Sequence, residues 1–316
     1  MIDTIDLQIS SENLLTYGGM AGKKKGITIH GENYIIKYTK SLKDRKNTVL
    51  SYSNAPICEY IGSHIYNILG INSHKTYLPV ENSIHSDKMV ICKDFTDIPN
   101  IILTEFREFR ATDNNDPYEE KYPTNGRGTE FTDILYTIDN HQVLNIIPNI
   151  KEHFWKMFVV DAIIGNGDRN NGNWGVLVDA TKGKLPVKIA PIYDNGACFY
   201  PSWDENKMIK YLSDKDLFNT IAYKGFSNCY IRNGHRLNPF HVIMEKQHIE
   251  CNEIVCKISE NFPFQTIYEM IDELVDNQRL SSIYGTFIKN LIDSRMNNIL
   301  LPVAEEIIRE DDSPKP

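Results

Sequence analysis

The first third of the chain alternates short apolar runs with turn residues, a pattern that predicts β-strands and one helix. Strands are predicted over residues 27–30, 34–38, 76–80 and 88–93. The first two should form a hairpin with its turn at residues 31–33. Residues 55–69 carry apolar side chains at helical spacing, with Pro56 suited to the first helical turn and Gly70 to its end.

The pattern after the first hundred residues is mainly helical. A polar stretch over 111–130 is interpreted as a loop or an insertion. Strands at 174–178 and 187–190 should pair around a turn that begins at Thr181. Helices are predicted over residues 131–136, 154–164 and, with interruptions, 242–310. A β-rich first part and a helical second part indicate an α+β fold of two lobes with a cleft between them.

The expected boundary between the lobes lies near residue 97, where Asp-Ile-Pro-Asn breaks the strand pattern. We therefore expect an N-terminal lobe over residues 1–96 and a C-terminal lobe over residues 97–310. The final residues, 311–316, are acidic and contain two prolines, so we expect a disordered tail there.

Composition places the chain among ordinary globular proteins and excludes several classes. It has 316 residues, 41% of them hydrophobic, and a net charge of −8, which argues against a nucleic-acid binder. No apolar run is long enough to span a membrane, and the N-terminus has no signal-peptide pattern. The six cysteines form no CxxC pair, so reduced structural thiols in the cytoplasm are expected. Export without a cleavable signal stays open.

Positive charge is concentrated in one segment of this acidic protein. Residues 21–46 have a net charge of +6, so the remainder carries −14. Such a local positive field suits an anionic ligand, although charge alone would favour a solvated basic surface.

Three polar residues in the centre of the chain have the spacing that phosphoryl transfer requires. Asn173 follows Asp168 by five residues in a Gly- and Asn-rich segment, and Asp194 comes after an apolar strand. One carboxylate can accept the proton of an attacking hydroxyl group, while the amide and the second carboxylate hold Mg²⁺ against nucleotide phosphates. The alternative is an ordinary polar turn, which favours the same residue types.

Polar residues beside this motif are expected to support it. Asp161 lies within a buried apolar segment, and a buried carboxylate needs partners, so we expect it to hydrogen-bond the loop that carries Asp168. Asn166 could brace the loop backbone. Arg169 could pair with a carboxylate or with the group that receives phosphate.

A glycine-rich segment precedes the first predicted strand and contains Gly18, Gly19, Ala21 and Gly22. Its backbone N–H groups could approach phosphates closely, although a flexible hairpin tip would have the same composition. The segment is not a Walker loop, because no Gly-Lys-Ser/Thr begins a helix there.

Further candidates lie between the glycines and the central motif. Lys37 ends an apolar strand, and Glu59 interrupts the apolar face of the following helix. In kinases such a lysine contacts the α- and β-phosphates and pairs with a helix glutamate. Backbone groups of Cys92, Lys93 and Asp94 could bind adenine as a hinge, although an ordinary core strand is equally consistent.

These residues resemble the HipA-like serine/threonine kinases, closest to their stand-alone, cell-translocating type. The resemblance rests on Gly165–Gly175 and on Ile189–Asp194, with further similarity along nearly the whole chain. It implies a bilobal protein-kinase-like fold, ATP and Mg²⁺ as cofactors, and transfer of the γ-phosphoryl group to Ser or Thr of proteins, the kinase itself included. By position, Asp168 would be the catalytic base, Asn173 and Asp194 the Mg²⁺ ligands, and Lys37 the phosphate-binding lysine.

The chain departs from this family in two places. Asn170 stands where many relatives have histidine. No Ser or Thr lies between Gly18 and Gly26, although some toxin members are switched off by phosphorylation of a serine in that loop. The nearest candidate acceptors are Thr16, Thr28, Thr48, Ser51 and Ser53. A protein substrate is implied but not identified, and an antitoxin or host-protein partner stays open.

Two other readings of the same residues are open. A nucleotide-binding pseudokinase would act as an interaction module, and Asn170 is its only support in the sequence. A small-molecule or lipid kinase is the second alternative, because related bilobal folds serve such substrates.

Overall fold

A computed structural model describes most of the chain. The described residues are 2–13, 24–39, 41–42, 50, 53–80, 89–111, 129–183 and 185–312. The strands are β1 (Thr4–Ile5), β2 (Ser11–Glu12), β3 (Lys24–Ile29), β4 (Glu32–Tyr38), β5 (Thr76–Pro79), β6 (Met89–Lys93), β7 (Ile101–Glu105), β8 (Gly175–Asp179), β9 (Leu185–Ile189), β10 (Ile231–Arg232) and β11 (His235–Arg236).

The helices account for most of the second half of the chain. They are α1 (Ala55–Ile68), α2 (Phe106–Ala111), α3 (Phe131–Asn140), α4 (Ile150–Ile164), α5 (Glu205–Leu212), α6 (Lys215–Asn219), α7 (Pro239–Glu245), α8 (Ile249–Glu260), α9 (Phe264–Asp276), α10 (Ser282–Arg295) and α11 (Leu301–Asp312). Short π-helical turns cover Thr220–Lys224 and Met296–Leu300. No helix in the described ranges is long and apolar enough to cross a membrane.

The chain divides into two compact units, each built from three segments. The first unit comprises Met1–Asp97, Tyr193–Phe218 and Pro263–Leu291, and the second comprises Ile98–Ile192, Asn219–Phe262 and Ile292–Pro316. The first segment ends at the break expected near residue 97. Two later segments also belong to the first unit, where α9 contacts α1. The division into lobes over residues 1–96 and 97–310 stays a prediction.

A six-stranded sheet forms the centre of the first unit, in the order β1-β5-β6-β4-β3-β2. The pairs are antiparallel except for β1 with β5. The predicted hairpin is β3 with β4, but its turn lies at His30 and Gly31, which both have positive φ, rather than at residues 31–33. Glycine enters this left-handed region without steric cost, and this determines where the chain reverses.

One face of the sheet carries an apolar core, and the other is covered by α1. The core cluster consists of Ile27, Ile29, Tyr34, Ile36, Met89 and Ile91. Because side chains alternate along a strand, Ile35 and Lys37 lie on the opposite face of β4 from Tyr34 and Ile36. The helix α1 contacts β5 and β6. Its bounds match the predicted helix closely, with Pro56 in the first turn and Gly70, at φ 71°, after its last residue.

The second unit contains a three-stranded antiparallel sheet in the order β7-β8-β9. The predicted strand pair around Thr181 is β8 with β9, whereas β7 was not recognised from the sequence. At Gly175 a Cβ atom would lie 2.2 Å from the carbonyl oxygen of Thr104, so only glycine fits where β8 meets β7. This close approach at Gly175 fixes the start of β8, two residues after Asn173.

The helix α4 is the buried centre of the second unit. Eleven of its fifteen residues are buried, and its aromatic side chains pack in a cluster with Phe131 and Tyr230. It begins at Ile150, four residues before the predicted start. The last helix continues to Asp312, so residues 311 and 312 are helical rather than part of the expected tail. All six cysteines are free thiols, as expected.

Candidate active site

Three charged side chains meet in the first unit, beside the sheet face that α1 covers. The Lys37 Nζ lies 3.0 Å from Glu59 Oε1 and 2.9 Å from Asp194 Oδ1. Glu59 is 3% exposed, so it is a buried residue and not a surface residue of the helix. The predicted pairing of Lys37 with Glu59 is therefore present, and Asp194 shares the same ammonium group.

Electrostatics keep all three groups charged at neutral pH. Burial would lower the pKa of Lys37, but Asp194 and Glu59 raise it well above the usual range. Burial would raise the pKa of Glu59, but Lys37 and His74 outweigh it and hold the pKa well below its usual range. The pKa of Asp194 is lowered, chiefly by Lys37. The result is one cation shared by two carboxylates, with a net charge of −1.

The backbone at Asp194 has a left-handed conformation, and the turn that follows it packs closely against α1. Asp194 has φ 63°, in the left-handed region that non-glycine residues rarely adopt. Two residues later, a Cβ at Gly196 would lie 3.0 Å from Glu59 Oε2 and 3.1 Å from the Ala55 carbonyl oxygen. The small residue allows the turn to approach α1 closely.

The buried polar side chains around Glu59 were not predicted from the sequence. His74 Nε2 lies 2.9 Å from Glu59 Oε1 and 3.1 Å from Ser63 Oγ, and Asn195 Nδ2 donates to Ser63 Oγ at 2.9 Å. One signal was available, because Glu59 and Ser63 are polar residues four apart in an otherwise apolar helix and so lie on the same face. His74 and Asn195 had no comparable local signal.

Glu59, His74 and Cys92 have ligand atoms within 4.8 Å of one another, a spacing that could hold a metal ion. Lys37 already places a positive charge on the Glu59 oxygen that such an ion would need. Burial also raises the pKa of the Cys92 thiol to about 12, which keeps it protonated. The described residues therefore satisfy Glu59 with an ammonium group and an imidazole.

Replacing Lys37 by methionine is expected to reverse the pH dependence of stability near neutrality. In the wild type the lowered pKa of buried His74 makes stability fall as the pH drops below the ordinary histidine value of 6.5. The lowered pKa values of Glu59 and Asp194 act at lower pH, where the stability that they give is lost as the pH falls through the folded values. Without the ammonium, the buried cluster takes up a proton, on Glu59 or on His74. The free energy of unfolding of the Lys37→Met protein, measured in urea, should then increase as the pH falls from about 7 to about 5.

Lys25→Met is the matched control for this measurement. Lys25 lies on the neighbouring strand β3 and forms an exposed ion pair with Glu12. Removal of its charge should leave the pH dependence of the free energy of unfolding the same as in the wild type. An unchanged profile in Lys37→Met would contradict the assignment of the carboxylate charges to this lysine.

The loop that carries Asp168 belongs to the second unit and is held by its own side chains. Asn166 Oδ1 accepts the Asp168 N–H at 3.2 Å, and Asn173 Nδ2 donates to the Asp168 carbonyl oxygen at 2.9 Å. Asn170 Oδ1 accepts the Gly172 N–H at 2.8 Å, so the residue that departs from the family pattern closes a local turn. Asp168 itself is exposed, and its carboxylate is accessible to a substrate.

A buried ion pair connects this loop to the helix α4. Arg169 Nε and Nη2 donate to the two carboxylate oxygens of Asp161 at 2.7 and 3.0 Å, and Arg169 Nη1 donates to the Asn173 carbonyl oxygen at 3.0 Å. Asn166 Nδ2 also donates to Asp161. The predictions that Asp161 bonds the loop, that Asn166 braces it and that Arg169 pairs with a carboxylate are confirmed. Asn173 is fixed at its main chain by the same arginine.

The end of α4 is set by glycine and a second buried arginine. Gly165 has φ 68° and caps the helix in the left-handed conformation. A Cβ there would lie 2.7 Å from Arg295 Nη2, and Arg295 Nη1 donates to the Ile163 carbonyl oxygen at 3.0 Å. A cation at a helix C-terminus is favourable, because it meets the unpaired carbonyl groups. The start of the loop is therefore held in place by the glycine cap and by Arg295.

The remaining predicted residues are only partly described. Gly18, Gly19, Ala21 and Gly22 lie outside the described residues. In the expected hinge, the Lys93 N–H donates to the Lys75 carbonyl oxygen and the Asp94 N–H to that of Asn33. Cys92 lies on β6, which pairs with strands on both sides. Any adenine contact there would have to use other backbone groups, and the hinge stays a prediction.

Comparison with known proteins identifies relatives of the whole chain. No family model matches. The serine/threonine-protein kinase CtkA of Helicobacter pylori is 31% identical over 288 residues, which cover 90% of this chain and 82% of CtkA. A crystal structure of a Helicobacter pylori proinflammatory kinase CtkA matches with a TM-score of 0.84 at 28% identity, covering 99% of this chain and 100% of that one.

A more distant match supports the fold alone. HipA of Shewanella oneidensis MR-1, in a toxin–antitoxin complex with HipB and operator DNA, matches with a TM-score of 0.51 at 14% identity, over 94% of this chain and 66% of that one. The extent and identity of the CtkA match decide the relationship. The chain therefore belongs to the HipA-like serine/threonine-protein kinases that include CtkA, and it is a protein serine/threonine kinase with their bilobal fold.

Proposed function

We propose that this kinase transfers the γ-phosphoryl group of ATP to Ser or Thr side chains of proteins, itself included, with Mg²⁺ as cofactor. The observation that carries the proposal is the ammonium group of Lys37, shared between Glu59 and Asp194. A buried lysine held by a helix glutamate, beside an ionised aspartate, matches the arrangement by which protein kinases bind nucleotide phosphates and metal.

The donor atoms fit the proposed cofactor. Asp194 offers an ionised carboxylate, and Asn173 offers its amide oxygen because its amide nitrogen is committed to Asp168. Oxygen ligands of this kind are those that Mg²⁺ prefers, and the ion, when bound, neutralises charge on the transferred phosphoryl group. Lys37 contributes a fixed positive charge for the α- and β-phosphates, and Glu59 holds that charge in place.

Asp168 is proposed as the catalytic base. The substrate hydroxyl oxygen forms a bond to the γ-phosphorus while the bond to the β-phosphate oxygen breaks, and the hydroxyl proton passes to the Asp168 carboxylate. The loop serves this role by its rigidity, because Asn166 and Asn173 hold the main chain of Asp168 and leave its side chain exposed. Positioning is most of what the protein contributes in such a reaction.

The parts that bind the rest of the nucleotide follow from the same proposal. Gly18, Gly19, Ala21 and Gly22 would cover the phosphates through backbone N–H groups. Backbone groups of the segment from Cys92 to Asp94 would contact adenine. ATP is abundant in the cytoplasm, and a cytoplasmic location agrees with the free thiols.

Candidate autophosphorylation sites differ in their surroundings. Thr16, Thr48 and Ser51 lie outside the described residues. Thr28 is on β3 and donates to Asn33 Oδ1, whereas Ser53 Oγ accepts the Ala55 N–H at the start of α1. A phosphoryl group is favoured at a helix N-terminus, so Ser53 is the better acceptor of these two.

The test is incubation of the purified protein with γ-labelled ATP and Mg²⁺, followed by mapping of the label by mass spectrometry. Label on Ser or Thr of the kinase or of an added protein supports the proposal. Label that appears only in added lipid or small molecules would favour the alternative substrates. Thermal stabilisation by ATP with no transfer to any acceptor would contradict the proposal and favour a pseudokinase.

A further inference from the structure

The buried polar residues around Glu59 close into a ring of hydrogen bonds. The ring, named here the Glu59 ring, consists of Lys37, Glu59, His74, Ser63, Asn195 and Asp194. Each side-chain link in it is between 2.9 and 3.1 Å long, and the peptide bond between Asp194 and Asn195 completes it. It joins β4, α1, the residues before β5 and the turn at Asp194.

His74 is the donor that the geometry requires on the far side of Glu59. A carboxylate can only accept hydrogen bonds, so the hydrogen in the 2.9 Å contact to Glu59 Oε1 lies on His74 Nε2. Burial lowers the pKa of His74 despite the opposing effect of Glu59, so the imidazole of His74 is a neutral hydrogen-bond donor at pH 7. A neutral donor satisfies the buried carboxylate without competing with the charge of Lys37.

The same Glu59 oxygen accepts from both Lys37 and His74. Two donors on one oxygen restrict it in two directions, so the carboxylate has little freedom to rotate about its side-chain bonds. Without His74, Lys37 would be the one donor left to this oxygen among the described residues, and the ammonium could then shift toward Asp194.

Ser63 extends this restraint to the turn that carries Asp194. Its Oγ lies 3.1 Å from His74 Nε2, where it shares the single Nε2 hydrogen with Glu59, and it accepts a hydrogen bond from Asn195 Nδ2. Asn195 and Ser63 are fully buried, and Asn195 directly follows the residue with φ 63°. The network offers side-chain bonds that offset the cost of that backbone conformation.

We infer that His74 is a positioning residue for phosphoryl transfer, acting through Glu59 to fix the ammonium group of Lys37 and, through Ser63 and Asn195, the turn that carries Asp194. The inference rests on the proposed function of Lys37, Glu59 and Asp194. Nothing in it requires His74 to touch nucleotide or substrate.

The test compares His74→Leu, which removes the donor, with His74→Gln, whose amide can donate from a similar position. His74→Leu should lower kcat/KM for ATP by about 10- to 100-fold, the range for residues that orient a functional ligand. His74→Gln should recover most of that loss. A role in stability alone would predict that the activities of both variants follow their melting temperatures.

A double-mutant cycle with Glu59→Gln tests whether His74 acts through Glu59. Glu59→Gln with His74→Leu should be no less active than Glu59→Gln alone. Losses that multiply, or wild-type activity in His74→Leu, would overturn the inference and leave the proposed function standing. Wild-type activity in Glu59→Gln would instead overturn the proposed role of the ion pair, and the inference with it.

One further measurement depends neither on activity nor on the folding of a variant. Imidazole ¹⁵N spectra of the wild-type protein without nucleotide should show neutral His74 with its hydrogen on Nε2, and a hydrogen on Nδ1 instead would overturn the inference. His64→Leu is the matched control, because His64 is a half-buried histidine of α1 that contacts Asp3 rather than Glu59. It should keep wild-type kcat/KM, and a loss equal to that of His74→Leu would contradict a specific role for His74.

Discussion

Replacing Asp168 by asparagine is expected to lower kcat by about 10³-fold or more, with nearly unchanged stability. Asparagine has the same shape but cannot accept the proton of the attacking hydroxyl group. The hydrogen bonds that hold this position use the Asp168 main chain, so they survive the substitution. Because the side chain is exposed, the free energy of unfolding should change by no more than about 0.5 kcal/mol.

The measurement is phosphate transfer from γ-labelled ATP together with the midpoint of urea unfolding. Asp139→Asn is the matched control, an exposed aspartate of the same unit that pairs with Lys151. It should retain wild-type activity. Undiminished transfer by Asp168→Asn would exclude this carboxylate as the base and move the search to another residue.

Replacing Asp161 by asparagine is expected to destabilise the second unit by about 3–5 kcal/mol. The substitution removes the negative charge that balances Arg169, and both side chains are almost completely inaccessible to water. A buried guanidinium without its carboxylate is far more costly than an exposed one, because solvent cannot replace the lost partner. The free energy of unfolding in urea is the direct measurement.

Glu152→Gln on the same helix is the matched control for this prediction. Glu152 pairs with Lys156 one turn away at 2.9 Å, but both side chains are about one-third exposed. The same loss of charge should cost about 0.2–1 kcal/mol there, because water screens and solvates the remaining lysine. Equal costs in the two variants would contradict the structural role assigned to the buried pair.

Asp161→Asn should also lower phosphoryl transfer, although Asp161 touches no proposed reactant. Arg169 holds the Asn173 carbonyl oxygen, so a displaced arginine would release the main chain of a proposed metal ligand. The kinetic loss should therefore be smaller than that of Asp168→Asn and should be partly relieved by higher Mg²⁺ concentration. Full activity at the wild-type Mg²⁺ requirement would show that the pair supports the fold alone.

Local sequence patterns were sufficient for the elements whose signals lie within a few residues. The helix from Ala55 to Ile68 shows its apolar spacing, its early proline and its terminal glycine together. The hairpin of β3 and β4 needs only two apolar strands and a tight turn. The order of Lys37, Glu59, Asp168, Asn173 and Asp194 along the chain pointed to phosphoryl transfer, because each residue type is tied to a chemical role.

Patterns were less informative where an element depends on a distant partner. The strand β7 has an apolar Ile-Ile-Leu run that was not assigned from the sequence, and it pairs with β8 at positions 70 to 78 residues later. The segment up to Phe218 and the helix α9 belong to the first unit through contacts with α1 and its neighbours. Nothing in their own composition indicates that assignment.

The sequence by itself therefore determined the strands and helices with clear periodicity and the pairing of Lys37 with Glu59, and it supplied the charged residues that we propose for catalysis. Only the tertiary structure decided that Asp194 shares this ammonium group and that His74, Ser63 and Asn195 enclose Glu59. The physical reason is the separation along the chain of the residues that carry each signal. Periodicity reports which face of one element is buried, whereas a buried polar contact depends on packing between residues far apart in the chain, 157 positions in the case of Lys37 and Asp194.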